Sequence, residues 1–124
     1  MTEHRESTTK SLKAWREEID ALDSQLLRLL NQRAAIACQI GAVKVASGLP
    51  AYDGRREREV LARIRAQNPG PFAPESVTRI FRRIILETRK IGMQAMQKQA
   101  EKQRQTKTAV QERSNGYQHG SRRV

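Results

Sequence analysis

Residues 12–47 read LKAWREEIDALDSQLLRLLNQRAAIACQIGAVKVAS. Apolar side chains recur in this stretch mostly at intervals of three and four residues, which is typical of a long helix that packs against other helices. They are Leu12, Trp15, Ile19, Leu22, Leu26, Leu29, Ile36, Ile40 and Val43. Gly48 and Pro50 are expected to end the helix, which would be about 54 Å long. One small globule cannot cover a rod of that length, so this apolar seam predicts a second copy of the chain.

Two further helices are predicted after the long one. Asp53 is placed to cap a short helix from about Gly54 to Gln67, and the sequence NPGP at residues 68–71 breaks that helix. Pro74 suits the first turn of a third helix of medium length. Its inward stripe is predicted to be Val77, Ile80, Phe81, Ile84, Ile85 and Thr88. Ala, Leu, Ile, Arg, Gln and Glu dominate the composition and only 4% of the residues are aromatic, which favours helix over strand. Together with these patterns, the composition predicts an all-α fold with three helices per chain.

Charge and composition divide the chain into three predicted segments. The 124 residues carry 24 Lys and Arg against 13 Asp and Glu, a net charge of +11, and one domain is expected at this length. We expect residues 1–11 to be a flexible segment, residues 12–92 to form one helical domain, and residues 93–124 to be a basic extension. The extension should be helical at first and disordered from about Ser114. It is interpreted as a solubilising appendage, with contact to nucleic acid as the alternative.

The few cysteine and histidine residues limit which cellular compartment and which kinds of catalysis we expect. Cys38 is the single cysteine, so no internal disulfide can form and the reducing cytoplasm is the expected location. No apolar run approaches the ~20 residues of a membrane span, and a soluble protein is expected. Cys38 is interpreted as a small buried hydrophobe, since no histidine lies in the helical core to activate it. His4 and His119 lie near the two ends, and neither a metal site nor a cofactor is expected.

Two cations on the seam of the long helix indicate an anion site. Arg33 stands where the seam requires an apolar residue, and no acidic residue lies three or four positions away. It needs a counter-charge, which could come from another segment, another chain or a ligand. Lys44 returns to within about 20° of Arg33, about 16 Å along the helix. This pair suits a small anion with more than one negative group, whereas the alternative for Lys44 is a solvated residue at a helix end.

Arg16 is a third cation of the long helix, and it could join the same site only from a second chain. It lies ~25 Å from Arg33 along the helix axis, so one chain cannot bring both residues to the same small ligand. An antiparallel copy of the long helix could do so and would also cover the exposed seam. The alternative is a surface residue that pairs with Asp20.

Four polar residues after the long helix also have two interpretations. Asp53, Arg56 and Glu57 crowd the start of the second helix, where a cap followed by first-turn charge is ordinary. Thr88 is the polar residue on the inward stripe of the third helix, and a threonine there often bonds to a preceding carbonyl. All four are therefore candidates for a site and also candidates for local helix chemistry.

Taken together, the residues resemble the all-helical chorismate mutases over about Leu12 to Gly92. The resemblance rests on LKAWREEIDALDSQLLRLLNQRAAIACQIGAVK, on DGRRE and on VTRIFRRIILETRK. It implies an intertwined homodimeric helical bundle with two equivalent sites, each completed by Arg16 of the other chain. It also implies the rearrangement of chorismate to prephenate, in phenylalanine and tyrosine biosynthesis. That reaction is unimolecular and needs positioning and electrostatics rather than a nucleophile, a metal or a cofactor.

The resemblance also implies a role for each candidate residue. Arg33 and the partner subunit's Arg16 would hold the substrate carboxylates, and Lys44 would contact a carboxylate and the ether oxygen. Glu57, with the backbone around Asp53, would hold the ring hydroxyl. Two further residues would act at the carboxylates: Arg56 by supporting that end, and Thr88 as the small hydroxyl residue.

Gly92 departs from the family pattern, in which most members carry Gln or Glu as a second donor to the ether oxygen. Gln94 lies ~200° around the helix and cannot simply replace that donor. A slow mutase, a mutase served by water or by the extension, and a relative with another substrate all remain open. The last class includes amino-deoxychorismate mutases and isochorismate-pyruvate lyases. A mutase-like regulatory domain without catalysis and a basic nucleic-acid-binding protein are more distant alternatives.

Overall fold

The computed structural model describes residues 9–121, with side chains for residues 9–116. Three helices follow one another in this range: α1 at Leu12–Ser47, α2 at Gly54–Gln67 and α3 at Pro74–Ser121. No strand occurs in the part of the chain that is described. The predicted all-α fold with one long and one short helix is therefore confirmed. The predicted flexible segment 1–11 falls mostly on residues 1–8, which lie outside the described residues.

The chain divides into two units, Met1–Arg33 and Ala34–Val124. In the first unit, Ser11 caps α1, because its Oγ accepts a hydrogen bond from the Ala14 N–H at 3.0 Å. Lys10 pairs with Glu18 at 2.5 Å and lies 4.1 Å from the centre of the Trp15 ring. These contacts are local to the start of α1 and fix its first turns.

The apolar seam of the first unit is open to solvent. Six of its side chains are each 49–64% exposed: Leu12, Trp15, Ile19, Leu22, Leu26 and Leu29. At ~25 cal/mol per Å², leaving such side chains in water forgoes most of the stabilisation that their burial would give. The chain itself thus leaves the predicted packing face of α1 uncovered in this unit.

In the second unit, the end of α1 and the start of α2 are fixed by the residues that the sequence predicts for them. α1 ends where Gly48 takes φ +67°, and the Leu49 N–H donates to the Lys44 carbonyl at 2.8 Å, as in a Schellman motif. Asp53 caps α2, because its Oδ1 accepts from the Arg56 N–H at 3.1 Å.

Helix α2 packs on α3 around a small core. Val60 of α2 and Val77 of α3 are buried, at 8% and 9% exposure. Thr78 joins the two helices: its hydroxyl donates to the Pro74 carbonyl at 2.7 Å and accepts from Arg65 Nη1 at 3.3 Å. Of the predicted inward stripe, Ile80 is the exception, at 43% exposure. It lies about 80° from the centre of the stripe at ~100° per residue, and so at the edge of the packed face.

The carboxyl-terminal part of α1 and α3 cross with their backbones almost in contact. A Cβ built on Gly41 would lie 2.6 Å from the Gly92 carbonyl oxygen and 3.1 Å from Met96 Cγ. A Cβ on Gly92 would lie 3.2 Å from the Ala37 carbonyl oxygen. Both glycines are buried, and the close approach requires glycine at position 41, whereas a Cβ at position 92 would need the Ala37 backbone to shift by only a few tenths of an ångström.

Helix α3 has 48 residues and is the longest helix, whereas the sequence predicts a helix of medium length followed by an extension that is helical at first. It continues to Ser121, past Ser114, where the composition predicts that order ends. The residues after Gly92 include no proline and are rich in Gln, Lys, Glu and Ala, which favour helix even without an apolar stripe. All side chains from residue 101 to residue 116 are exposed.

Candidate active site

Lys44 lies in the last turn of α1, and its side chain contacts the loop that follows the helix. Its Nζ donates a hydrogen bond to the Ala51 carbonyl at 3.0 Å, and the residue is half-buried. A lysine at a helix carboxyl end is favoured by the helix dipole in any case. Here, however, the ammonium is also held at a defined point beside the loop that leads to α2.

Glu57 lies in the first turn of α2 and forms an ion pair with Arg89 of α3. The bond joins Glu57 Oε2 and Arg89 Nη2, and the two side chains are 25% and 29% exposed. The Arg89 guanidinium carbon also lies 5.0 Å from the centre of the Tyr52 ring. Glu57 is thus connected to α3, and Arg89 to the loop before α2.

Asp53 and Arg56 show the ordinary chemistry of a helix start. The Asp53 carboxylate caps α2 by accepting from the Arg56 N–H. The Arg56 guanidinium lies 3.8 Å from Glu59 Oε2, and both side chains are more than half exposed. Such a surface pair contributes about 0–1 kcal/mol, which leaves the Arg56 side chain able to move to a ligand.

Thr88 is the buried polar residue of α3, at 6% exposure. Its Oγ1 donates to the carbonyl of Ile84 at 2.5 Å and lies 3.2 Å from that of Ile85. This is the self-satisfying bond that a threonine in a helix often makes. A hydroxyl that donates in this way still has lone pairs with which to accept.

The loop residues 51–53 connect the candidate residues of the second unit. Lys44 bonds to the Ala51 carbonyl, Arg89 lies against the Tyr52 ring, and Asp53 caps the helix that carries Glu57. The remaining two candidates belong to the first unit, where Arg16 is exposed and Arg33 is half-buried.

Two features of this region are not evident from the sequence. The pattern gives no signal for Arg89 beyond its position next to Thr88, one residue from the buried stripe. The sequence indicates a lost side chain at Gly92 but not its close contact with α1, which depends on how the two helices cross. Gln94 is exposed, as expected if it does not take over from residue 92.

Two local features, a cluster of metal ligands and a membrane-spanning helix, are absent from the described part of the chain. Among residues 9–121, no group of three or more His, Cys, Asp and Glu side chains is arranged to hold a metal ion. None of the described helices combines the length and the apolar character needed to cross a membrane. Cys38 is half-buried rather than buried.

The fold and these residues agree with one known family. Residues 15–93 match the family model described as chorismate mutase type II. The match covers well over half of the chain, and the chain belongs to this family. It includes every candidate site residue from Arg16 to Thr88, together with Gly92.

Curated relatives carry a similar sequence as a part of longer proteins. A bifunctional chorismate mutase/prephenate dehydratase from Aquifex aeolicus is 41% identical over 80 residues, which are 61% of this chain and 22% of the relative. The protein of the same description from Neisseria gonorrhoeae is 44% identical over 72 residues, 58% of this chain and 19% of the relative. The chain thus spans about a fifth of the length of the curated relatives it matches.

Two solved structures match this chain over nearly the whole of their own length. A chorismate mutase from Thermus thermophilus, in form II, is 36% identical, with a TM-score of 0.65. The match covers 66% of this chain and 93% of that one. Form I of the same protein is 39% identical with a TM-score of 0.61, over 62% of this chain and 96% of that one.

Proposed function

We propose that the chain is a chorismate mutase that rearranges chorismate to prephenate in phenylalanine and tyrosine biosynthesis. The observation that carries the proposal is the placement of Lys44 and Glu57 around the loop 51–53, in a chain that belongs to the chorismate mutase type II family. The proposed location is the cytoplasm, where the single cysteine, Cys38, would stay a thiol.

The proposed chemistry depends on position and charge. In this rearrangement one C–O bond breaks while a C–C bond forms, and negative charge grows on the ether oxygen. Cations that hold both carboxylates select the compact reactive conformer, and Lys44 is proposed to donate to the ether oxygen. Glu57 is proposed to accept from the ring hydroxyl. Thr88 and Arg56 would act at the carboxylates.

The active unit is proposed to be an intertwined homodimer in which the partner subunit's Arg16 completes each site. Two observations support this proposal. The apolar seam of the first unit is exposed in one chain, and Arg16 itself is exposed. A second long helix laid on that seam would bury both surfaces, which is the common arrangement of a twofold dimer.

The direct test measures chorismate loss and identifies the product for the purified chain and for Arg33→Ala. We expect prephenate from the wild type, and a loss of about 10²-fold in the variant, the cost of misplacing a reacting substrate whose carboxylate is no longer held. Arg28→Ala is the matched control, because Arg28 is an exposed arginine of the same unit. A wild type that leaves chorismate untouched would overturn the proposal.

Subunit mixing tests the proposed crossing of Arg16. Arg16→Ala and Lys44→Ala homodimers should each be nearly inactive. After exchange of subunits, a mixed dimer would have one site with both mutations and one site with neither. A random equimolar mixture should then recover about a quarter of the wild-type rate. If Arg16 acted within its own chain, or at no site, mixing would restore nothing beyond the average of the two variants.

Gly92 favours a second candidate, a mutase or lyase that acts on a relative of chorismate. Gly92 has no side chain, so the Gln or Glu that most members of the family carry there has no counterpart at this position. Assays with amino-deoxychorismate and isochorismate, beside chorismate, distinguish the substrates. If Gly92→Gln raises only the chorismate rate, chorismate is the native substrate of a slow mutase; no turnover of any of the three would favour a regulatory domain.

A further inference from the structure

The ion pair between Glu57 and Arg89 differs from the other ion pairs of the second unit. Its two side chains are 25% and 29% exposed, and it joins α2 to α3 across 32 positions of sequence. The Arg83–Glu87 pair, by contrast, lies within one turn of α3, with side chains 70% and 48% exposed. A pair removed from water in this way costs desolvation, and its two partners constrain each other far more than a surface pair does.

Three features fix the position of Arg89. Its backbone follows Thr88, which is buried and bonded to the preceding turn. Its guanidinium lies over the Tyr52 ring, 5.0 Å from the ring centre. Its Nη2 bonds to Glu57. A planar guanidinium fixed by a ring and a carboxylate has a defined orientation, and so does the carboxylate that it binds.

We infer that Arg89 is a positioning residue for Glu57, an inference that rests on the proposed function. The ion pair uses one carboxylate oxygen, Oε2, and a carboxylate can accept hydrogen bonds on both of its oxygens. Arg89 thereby orients the other oxygen toward the ring hydroxyl of chorismate. Tyr52 contributes by supporting the guanidinium, so that the loop before α2 takes part in the geometry of the site.

The other role open to an arginine here is direct contact with a substrate carboxylate. A double-mutant cycle separates the two roles, because residues that act as one unit give non-additive losses. The cycle consists of the wild type, Glu57→Ala, Arg89→Gln and the double variant, each assayed for kcat and KM with chorismate. Arg83→Gln is the matched control, since it removes an arginine from a Glu pair at the surface of the same helix.

Arg89→Gln should lower kcat/KM by about 10- to 100-fold, the cost of a misplacement of about 1 Å at a reacting substrate. In the Glu57→Ala background the same change should cost less than about 2-fold, since the group that Arg89 positions is gone. Arg89→Lys should recover part of the rate, Tyr52→Leu should lower it and Tyr52→Phe should leave it near wild type. Arg83→Gln should have no effect.

Thermal unfolding of each variant separates folding from positioning. If Arg89→Gln does not fold, Arg89→Lys and Tyr52→Leu carry the same cycle against Glu57→Ala. An active wild type with additive losses in the double variant would overturn this inference and leave the proposed function intact. A wild type that does not convert chorismate would overturn the proposed function and, with it, the inference.

Discussion

Helix α1 runs through both units, and its two stretches differ in the contacts that their side chains and backbone make. From residue 34 onward, the helix finds partners within its own chain: Gly41 lies against the backbone of Gly92, and Lys44 bonds to the loop at Ala51. From Leu12 to Leu30 its large apolar side chains are 40–64% exposed, and the ion pair between Lys10 and Glu18 is local to the helix start. The contrast is one of degree, because Ile36, Ile40 and Val43 in the later stretch are also 50–61% exposed. The proposed second chain would cover apolar side chains of both stretches.

The largest effect is expected from a charge on the exposed stretch. In Leu26→Glu the carboxylate would be buried without a partner if a second chain covers the seam. The proposed dimer should dissociate, and every site should lose the arginine that the partner subunit's Arg16 is proposed to supply. We expect the chorismate rate to fall by at least about 10³-fold, to near background, with the molar mass in light scattering reduced to that of one chain.

Ser24→Glu is the control for this charge. It adds the same negative charge to α1, about 160° around the helix from Leu26 at ~100° per residue. It should keep both the dimer and the rate. A Leu26→Glu chain that retains the mass and activity of the wild type would show that the exposed seam needs no second copy.

The next effect is expected at Lys44, in the stretch of α1 from residue 34 onward. Lys44→Ala removes the ammonium that the Ala51 carbonyl holds, and with it the proposed donor to the ether oxygen. We expect kcat to fall by about 10²- to 10³-fold while the dimer persists. Lys90→Ala, which removes an exposed lysine paired with Glu87, should leave kcat unchanged. Equal losses in the two variants would remove Lys44 from the proposed mechanism.

The sequence predicts the helices well because their signals are local. The bounds of α1 follow from a three- and four-residue apolar spacing and from Gly48, and the start of α2 follows from Asp53. The family was also predictable, since its residues recur in order over the stretch that the family model matches. The roles of the site residues, from Arg16 to Thr88, stay predictions.

What could not be predicted depends on contacts between distant elements. The Glu57–Arg89 pair joins positions whose proximity depends on how α2 packs on α3, and no periodicity shows it. The contact between Gly41 and Gly92 likewise depends on the crossing of α1 and α3. The continuous length of α3 is not evident from the apolar stripe, which fades after Gly92, because helix propensity alone carries the helix on to Ser121.

A smaller effect, on stability rather than chemistry, is expected at the helix crossing. Gly41→Ala places a Cβ 2.6 Å from the Gly92 carbonyl oxygen, so the two helices must separate. We expect the free energy of unfolding to fall by about 1–3 kcal/mol in urea denaturation. Gly116→Ala is the control: no atom lies within 4 Å of its Cβ, and alanine in place of glycine in a helix should stabilise by about 0.5–1 kcal/mol. Two variants of equal stability would mean that the crossing is looser than described.

The smallest effect is expected from removal of residues 101–124. The side chains of residues 101–116 are all exposed, whereas Met96 and Ala100 are half-buried, so a chain that ends at Ala100 keeps the packed part of α3. None of the proposed site residues is removed. We therefore expect kcat/KM to stay within about 2-fold of the wild type, because surface changes away from a site have little effect. A large loss would mean that the extension acts in catalysis or in assembly, and light scattering of the shortened chain would separate the two.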